Sequence, residues 1–198
     1  MQSVDFYIFR HGETDWNKER RFQGSTDIPL NETGKEQALE LKSKFQNLDV
    51  THILCSDLIR AKQTAEIVFS DQNIKVEYFK ELQECHLGDI EGMYRDEFDE
   101  NYGDHFWEKW KNVNGEHMDF RFPNAESPRE HLERLLRCLE GWGIRHPSAR
   151  AAVSTHGGAI WRLIHFTEKN PELPETIPNC GLYHLRLVGN TWQFIGSL

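Results

Sequence analysis

Asp5-Phe6-Tyr7-Ile8-Phe9, followed at once by Arg10-His11-Gly12, is the stretch on which the fold turns. A nearly continuous apolar and aromatic run suits a strand buried on both faces, because a one-sided strand alternates with polar residues. The run stops abruptly at an arginine, a histidine and a glycine. Further along, Thr33-Gly34-Lys35-Glu36 has the spacing of a capping box. Behind it Ala38, Leu41, Phe45 and Leu48 recur at intervals of three and four, which predicts an amphipathic helix. His52-Ile53-Leu54-Cys55 reads as a second buried strand. Ser56-Asp57 then offers cap chemistry to a helix whose apolar stripe is Leu58, Ala61, Ala65 and Val68. Lys75-Val76-Glu77-Tyr78-Phe79 reads as a third strand. Ser127-Pro128-Arg129-Glu130 is another capping box, with proline at the first helical position. Leu132, Leu135, Leu136 and Leu139 continue that helix toward Trp142, and Pro147 ends it. Ala151-Ala152-Val153-Ser154 is a fourth strand, running into Thr155-His156-Gly157-Gly158 and a helix through about Phe166. After a proline-rich loop from Pro171 to Pro178, Leu182 to Val188, a Gly189-Asn190 turn and Thr191 to Ile195 predict a terminal hairpin. Strands alternating with helices predict an α/β domain.

Composition bounds what the chain does. Its 198 residues carry a net charge of −9, with 38% hydrophobic and 28% charged residues. These values fit one soluble globular domain over residues 1–198. No basic face announces a nucleic-acid partner. No apolar run approaches the ~20 residues that cross a bilayer. Met1-Gln2-Ser3-Val4-Asp5 has neither a basic leader nor a cleavable apolar segment, so a cytoplasmic protein is expected. Cys55, Cys85, Cys138 and Cys180 form no C-x-x-C pair and read as reduced thiols. Asn31-Glu32-Thr33 matches a glycosylation acceptor, which means nothing without secretion. No two histidines stand two, three or four positions apart, so the local spacings that chelate a metal are missing. Glycine-rich nucleotide loops are missing too. Neither a metal nor a cofactor is expected.

In open α/β sheets, ligands bind beyond the carboxyl ends of the strands. The first predicted strand delivers Arg10 and His11 there. The second delivers Ser56 and, one turn on, Arg60. The fourth delivers His156 at a helix start. Each has a structural alternative. Arg10 could be an edge ion-pair partner, His11 a hydrogen-bonded loop histidine, Arg60 a solvated helix residue, His156 part of a tight connection. Together they suit a dianion: guanidinium forks match phosphate oxygens, and the N–H groups of Gly157 and Gly158 can face an anion.

Arg10-His11-Gly12-Glu13-Thr14 resembles the R-H-G-E-T signature of the histidine phosphatase superfamily, the phosphoglycerate-mutase-like enzymes. The resemblance extends over nearly the whole chain. Asn17, Gln23 to Leu30 and Thr33-Gly34 are similar to the family's continuation of that signature. Ser56 to Ala65 resembles its S-x-L-x-R-A-x-Q-T-A block. Glu84, Gly88 and Glu91-Gly92 resemble its E-x-x-x-G-x-x-E-G block, Glu126-Ser127 its G-E-S element, and Ser154 to Gly158 its S-H-G-G. Ala125 replaces a usual glycine, Thr155 stands as an extra residue before His156, and Asn179-Cys180-Gly181 lacks a usual serine.

Pattern and resemblance together predict a three-layer α/β/α sandwich with a mostly parallel central sheet and a C-terminal hairpin. Residues 93–123 form a helical cap insertion. In that segment Phe98, Tyr102, Phe106, Trp107, Trp110, Phe120 and Phe122 are scattered among charges and are the expected source of leaving-group selectivity. The resemblance implies that His11 is the nucleophile and that Arg10, Arg60 and His156 bind the phosphoryl oxygens. Asn17, Gln23 and the N–H of Gly157 add hydrogen bonds. Imidazole suits the nucleophile's part, since much of it is uncharged at neutral pH. Glu84 is implied as the acid that protonates the leaving oxygen and the base that then activates water. The residues alone do not choose between Glu81, Glu84 and Glu91; the block alignment selects Glu84. The expected partner is a small-molecule phosphate ester, with a homodimer left open. The family's mutases are usually longer, so this chain resembles the short phosphatase branch. A cofactor-dependent phosphoglycerate mutase, a catalytically silent phospho-ligand module and a metal-dependent hydrolase are the alternatives.

Overall fold

The computed structural model describes residues 3–103, 110, 115, 117–167 and 176–198. Phe106, Trp107 and residues 171–175 of the proline-rich loop lie outside them. Strand β1 (Ser3–Arg10) sends Phe6 and Ile8 into one core cluster and Tyr7 and Phe9 into another. Successive side chains of a strand point to opposite faces, so a strand covered on both sides needs the continuous apolar run that opens this sequence. The other strands are β2 (His52–Ser56), β3 (Val76–Phe79), β4 (Arg150–Thr155), β5 (Leu182–Val188) and β6 (Thr191–Ser197). Their order in the sheet is β3-β2-β4-β1-β5-β6. The first four are parallel; β5 runs antiparallel to β1, and β6 to β5, closing the hairpin.

Besides the short α1 (Asp15–Lys18), helices α2 (Glu32–Phe45) and α3 (Ile59–Val68) cover the Tyr7 and Phe9 face through Ala38, Leu41, Phe45, Ala61 and Ala65. Helix α4 (Arg95–Tyr102) belongs to a separate cluster, with Phe22, Leu87, Ile90, Trp110 and Phe122. There Phe98 stacks on Tyr102 at 5.0 Å and meets Phe122 edge-on at 5.5 Å. Helices α5 (Pro128–Arg145) and α6 (Gly157–Thr167) cover the Phe6 and Ile8 face through Leu132, Leu135, Trp142 and Ile160. Each fully buried side chain of this size contributes roughly 1.5–3 kcal/mol. The result is the expected α/β/α arrangement. Among the described residues no helix is long and apolar enough to cross a membrane. Cys55 and Cys85 are buried and Cys138 and Cys180 half-buried, all four free.

Two helix starts differ from expectation. The cap of α2 is Asn31, whose Oδ1 accepts from Gly34 N at 2.8 Å, so Thr33 lies inside the helix. Asn31 wins because its Nδ2 also donates to Glu13 at 2.9 Å, which ties the helix start to the loop after β1. Helix α3 carries no side-chain cap of its own. Asp27 supplies it from 32 positions away, accepting from Ile59 N at 2.6 Å. The capping box at Ser127 forms as read, with reciprocal bonds of 3.3 and 2.8 Å to Glu130.

Strands β1 and β4 are neighbours, with Arg10 opposite Thr155. The chain leaves β1 for α2 and β2 on one side of this pair, and leaves β4 for α6 and β5 on the other. Divergence of this kind opens a crevice beyond the strand ends, and His11 and His156 are the first residues past them.

Candidate active site

His11 N–H donates to Thr155 O at 3.0 Å, extending the β1–β4 ladder by one step. That step brings the His11 and His156 rings to a centroid distance of 5.2 Å. His11 Nδ1 lies 2.7 Å from Gly12 O. A carbonyl only accepts, so Nδ1 carries the proton and Nε2 keeps its lone pair. Burial, then the charges of Arg60 and Arg10, hold the His11 pKa well below the usual imidazole value, and the Gly12 bond offsets this only in part. The ring is therefore uncharged at neutral pH. The loop beyond is pinned by Gly12 N, which donates to Thr64 Oγ1 at 3.1 Å. A Cβ on Gly12 would stand 2.3 Å from Gly34 O, so glycine is what lets α2 pack against this loop.

Arg10 and Arg60 are each held by carbonyl groups. Arg10 Nη1 donates to Ile177 O at 2.6 Å; Arg60 donates to Thr26 O and Gly24 O, both at 2.7 Å. Their Nε atoms are buried without a hydrogen-bond partner. Burial pushes the Arg60 pKa down to about 10, while Glu84 and Asp27 support its charge. His156 is buried; its Nε2 sits 2.8 Å from Ser56 Oγ, and its Nδ1 has no partner. Ser56 Oγ thus serves His156 and also accepts from Leu58 N at 3.3 Å, one residue before α3. Burial and Arg60 lower the His156 pKa well below normal. Unpartnered buried polar atoms are costly; those of Arg10, Arg60 and His156 belong to residues beside His11, and a further set belongs to His131 and Arg162.

Asn17 Oδ1 accepts from Thr14 N at 3.3 Å and from Asn179 at 3.2 Å, while its Nδ2 bonds to none of the described residues. The Oε1 of Gln23 is buried and unpartnered. Glu84 is fixed at the start of α6: Gly158 N donates to Oε2 at 2.8 Å and Cys85 N to Oε1 at 3.0 Å. A Cβ on Gly158 would meet Oε1 at 2.5 Å, so a glycine there is the condition for the carboxylate's seat. Gly158 N–H is accordingly spent on Glu84. Arg10, His11, Asn17, Gln23, Arg60, Glu84 and Gly157 all line one cavity of about 320 Å³, and the buried His156 ring lies beside that of His11.

Several supporting contacts are not read from the sequence, although Glu91 and Glu126 fall in the motif blocks; Arg134 falls in none. Glu91 accepts from Ser25 N and Leu87 N, each at 2.9 Å, and from Thr26 Oγ1 at 2.5 Å, holding the loop that presents Gln23 and Gly24. Arg134 clasps Glu126 with bonds of 2.7 and 2.9 Å and donates to Glu84 O at 2.9 Å, fixing the backbone of Glu84. Phe22, Arg21, Arg95 and Trp161 line the cavity outside the expected set. Of the described cap aromatics expected to select the substrate, only Trp110 lines it; Phe98, Tyr102, Phe120 and Phe122 pack on one another instead.

The family model described as histidine phosphatase superfamily, branch 1, matches residues 6–196. A protein of Escherichia coli named "Probable phosphoglycerate mutase GpmB" is 32% identical, covering 98% of this chain and 89% of its own length. The solved structure of Bacillus stearothermophilus YhfR superposes with a TM-score of 0.86 at 28% identity, covering 98% and 96% of the two chains. The structure of a phosphoglycerate mutase from Thermus thermophilus gives a TM-score of 0.74 at 29% identity, covering 98% of each chain. Proteins named mutases are thus near this chain in length, so length does not separate the two activities.

Proposed function

The chain belongs to branch 1 of the histidine phosphatase superfamily, and on that footing we propose that it hydrolyses small phosphate monoesters through a phosphohistidine on His11, without a metal ion. The observation that carries this reading is a buried, uncharged His11 with its Nδ1 proton tied to Gly12 O, surrounded by unpartnered Nε atoms of Arg10 and Arg60 and Nδ1 of His156. Nε2 attacks phosphorus in line with the ester oxygen. Phosphoryl transfer asks mainly for positioning and for positive charge on the equatorial oxygens. Arg10 and Arg60 supply that charge, with Asn17, the Gln23 amide and Gly157 N–H as neutral donors. A Ser56 hydroxyl donating to His156 Nε2 leaves Nδ1–H as a further donor. Glu84 gives its proton to the departing ester oxygen. The resulting carboxylate takes a proton from water as that water attacks phosphohistidine, which releases inorganic phosphate and restores both residues.

The names of the Escherichia coli and Thermus relatives favour a second reading, transfer of the phosphoryl group back to a glycerate rather than to water. One assay separates the readings. Wild-type protein is incubated with a panel of phosphate monoesters and excess chelator, scoring free phosphate, isomerised ester and acid-labile phosphoprotein. The proposal expects free phosphate and a trapped phosphohistidine. Isomerised phosphoglycerate without phosphate release supports the mutase; activity lost to chelator, or no acid-labile phosphoprotein, overturns the mechanism.

A further inference from the structure

Arg162 is a fully buried cation that the phosphate site does not use. It stands on α6 one turn beyond Gly158, at the i,i+4 spacing that puts two residues on one face of a helix. Gly158 is the residue whose N–H holds Glu84. Arg162 Nε donates to His131 Nδ1 at 3.3 Å, while Nη1 and Nη2 bond to none of the described residues. The Trp110 ring lies over the guanidinium, its centroid 4.8 Å from the central carbon. Trp110 also lines the cavity, together with Glu84 and Cys85. A buried charge is costly unless an opposite charge answers it. Burial accordingly presses the Arg162 pKa down, while among the described residues Cys85, Glu84 and Glu126 support its charge.

Two of these three groups are already committed. Burial pushes the Cys85 thiol well above its ordinary range, so it stays protonated and brings no charge. Glu126 accepts from Arg134 at 2.7 and 2.9 Å and is neutralised there. His131 is held neutral by burial and by the charges of Arg134 and Arg162. The Glu84 carboxylate is what remains. Among the described residues its oxygens accept from two backbone N–H groups, those of Gly158 and Cys85, and from no side chain. Arg10 from β1 and Arg60 from α3 also act on Glu84, but across the cavity that receives the phosphoryl group. Arg134 from α5 reaches only its backbone carbonyl. We infer that Arg162 is a positioning residue of the proposed reaction, a buried counter-cation that keeps Glu84 a carboxylate once the leaving group has departed. Glu84 loses its proton to the ester oxygen, keeps its negative charge beside Arg162, and regains a proton from the attacking water. Arg162 acts through space and touches neither substrate nor water. This inference rests on the phosphatase reading above.

The test is the pH dependence of turnover with p-nitrophenyl phosphate, whose phenolate leaves without a proton, so that Glu84 is needed only as the base. The rate should rise with pH as Glu84 becomes a carboxylate. Arg162→Met removes the cation, which makes that carboxylate harder to form, and the rise should move to higher pH by at least about 0.5 unit. Arg162→Lys keeps a charge and should recover at least about half of the shift. In a Glu84→Gln background, adding Arg162→Met should change the rate by less than about 2-fold, because the group that Arg162 answers is gone. An unmoved profile in Arg162→Met, or an equal loss of rate with and without Glu84, overturns the inference and makes Arg162 a packing residue. If Arg162→Met does not fold, Arg162→Gln takes its place with the same expected shift; failure of both to fold makes the cation structural and overturns the inference as well. A wild-type protein that forms no acid-labile phosphoprotein from this ester overturns the phosphatase reading and the inference with it. One that forms and hydrolyses the phosphoprotein while the variant profiles stay in place overturns the role of Arg162 alone.

Discussion

The inner and outer ends of the cavity are built differently. At the inner end, Arg10, His11, His156 and Gly157 come directly from two adjacent strands, and backbone bonds such as His11 N to Thr155 O set their spacing. The side chains of His11 and His156 are buried and that of Arg10 half-buried, and each has a carbonyl or hydroxyl partner that limits its freedom. At the outer end, Arg21, Phe22, Arg95, Trp110, Trp161 and Thr176 come from segments far apart in the chain, and the segments of Arg21 and Arg95 are tied by backbone bonds from Phe22 N to Met93 O and from Arg95 N to Arg20 O, both 3.0 Å. An end made of strand termini can hold one fixed chemistry. An end made of loops and a short helix can change its residues without disturbing that chemistry. On the proposed reading, the inner end carries the reaction and the outer end the choice of substrate.

Four measurements put that division at risk. The largest effect is expected from His11→Ala, which should lower kcat by more than about 10³-fold for every substrate and eliminate acid-labile phosphoprotein; a variant that still forms a phosphoenzyme would move the nucleophile elsewhere. Next, Glu84→Gln should slow turnover by about 10²-fold or more while calorimetry finds inorganic phosphate bound nearly as before. Lost phosphate affinity would instead make Glu84 a support of the inner wall.

Trp110→Ala belongs to the outer end and should change the ranking of substrates by about 10-fold, with phosphate affinity little affected. Trp110 also lies near buried Arg162, whose guanidinium carbon is 4.8 Å from its ring centroid. If all substrates lose activity alike, packing is its whole contribution and the separation of the two ends fails at this residue.

The smallest effect is on stability. Burial is the first cause that depresses the pKa of His11, His131 and His156 well below normal. The native state therefore keeps them neutral, while the unfolded chain protonates them near the ordinary imidazole value of about 6.5. Above that pH they contribute no slope. As pH falls below it, the unfolded state binds protons that the native state refuses, and stability drops by up to about 1.4 kcal/mol per pH unit per histidine until the native pKa values are reached. Urea midpoints between pH 8 and pH 5 in phosphate-free buffer should be flat and then decline. A flat profile throughout would show that the inner histidines accept protons in the folded state.

Much of the inner end is legible in the sequence because its signals are local. A doubly buried strand must be apolar at every position, as β1 is, and the residues directly after such a strand lie at the sheet edge. The Ser127 capping box, the hairpin at Gly189 and the strand into His156 are readable for the same reason: the interacting residues are near neighbours. The start of α2 is not, because Asn31 and Thr33 both suit a cap, and Asn31 prevails only through its tie to Glu13. Asp27 as the cap of α3, Glu91 as the anchor of the Gln23 loop, and Arg134 as the clasp on Glu84 each act across tens of positions. No periodicity encodes such pairings.

By itself, the sequence determined the alternating architecture, the family, and the residues that the first and fourth strands carry to the sheet edge. Hydrophobic period, capping chemistry and motif spacing are properties of adjacent residues, and they survive without a fold. Only the tertiary structure decided that Gly158 gives its N–H to Glu84, that most cap aromatics pack on one another, and that Arg21 and Arg95 share a cavity with His11. Charge and shape in a cleft are sums over segments brought together in space, and those sums exist only once the chain has closed around them.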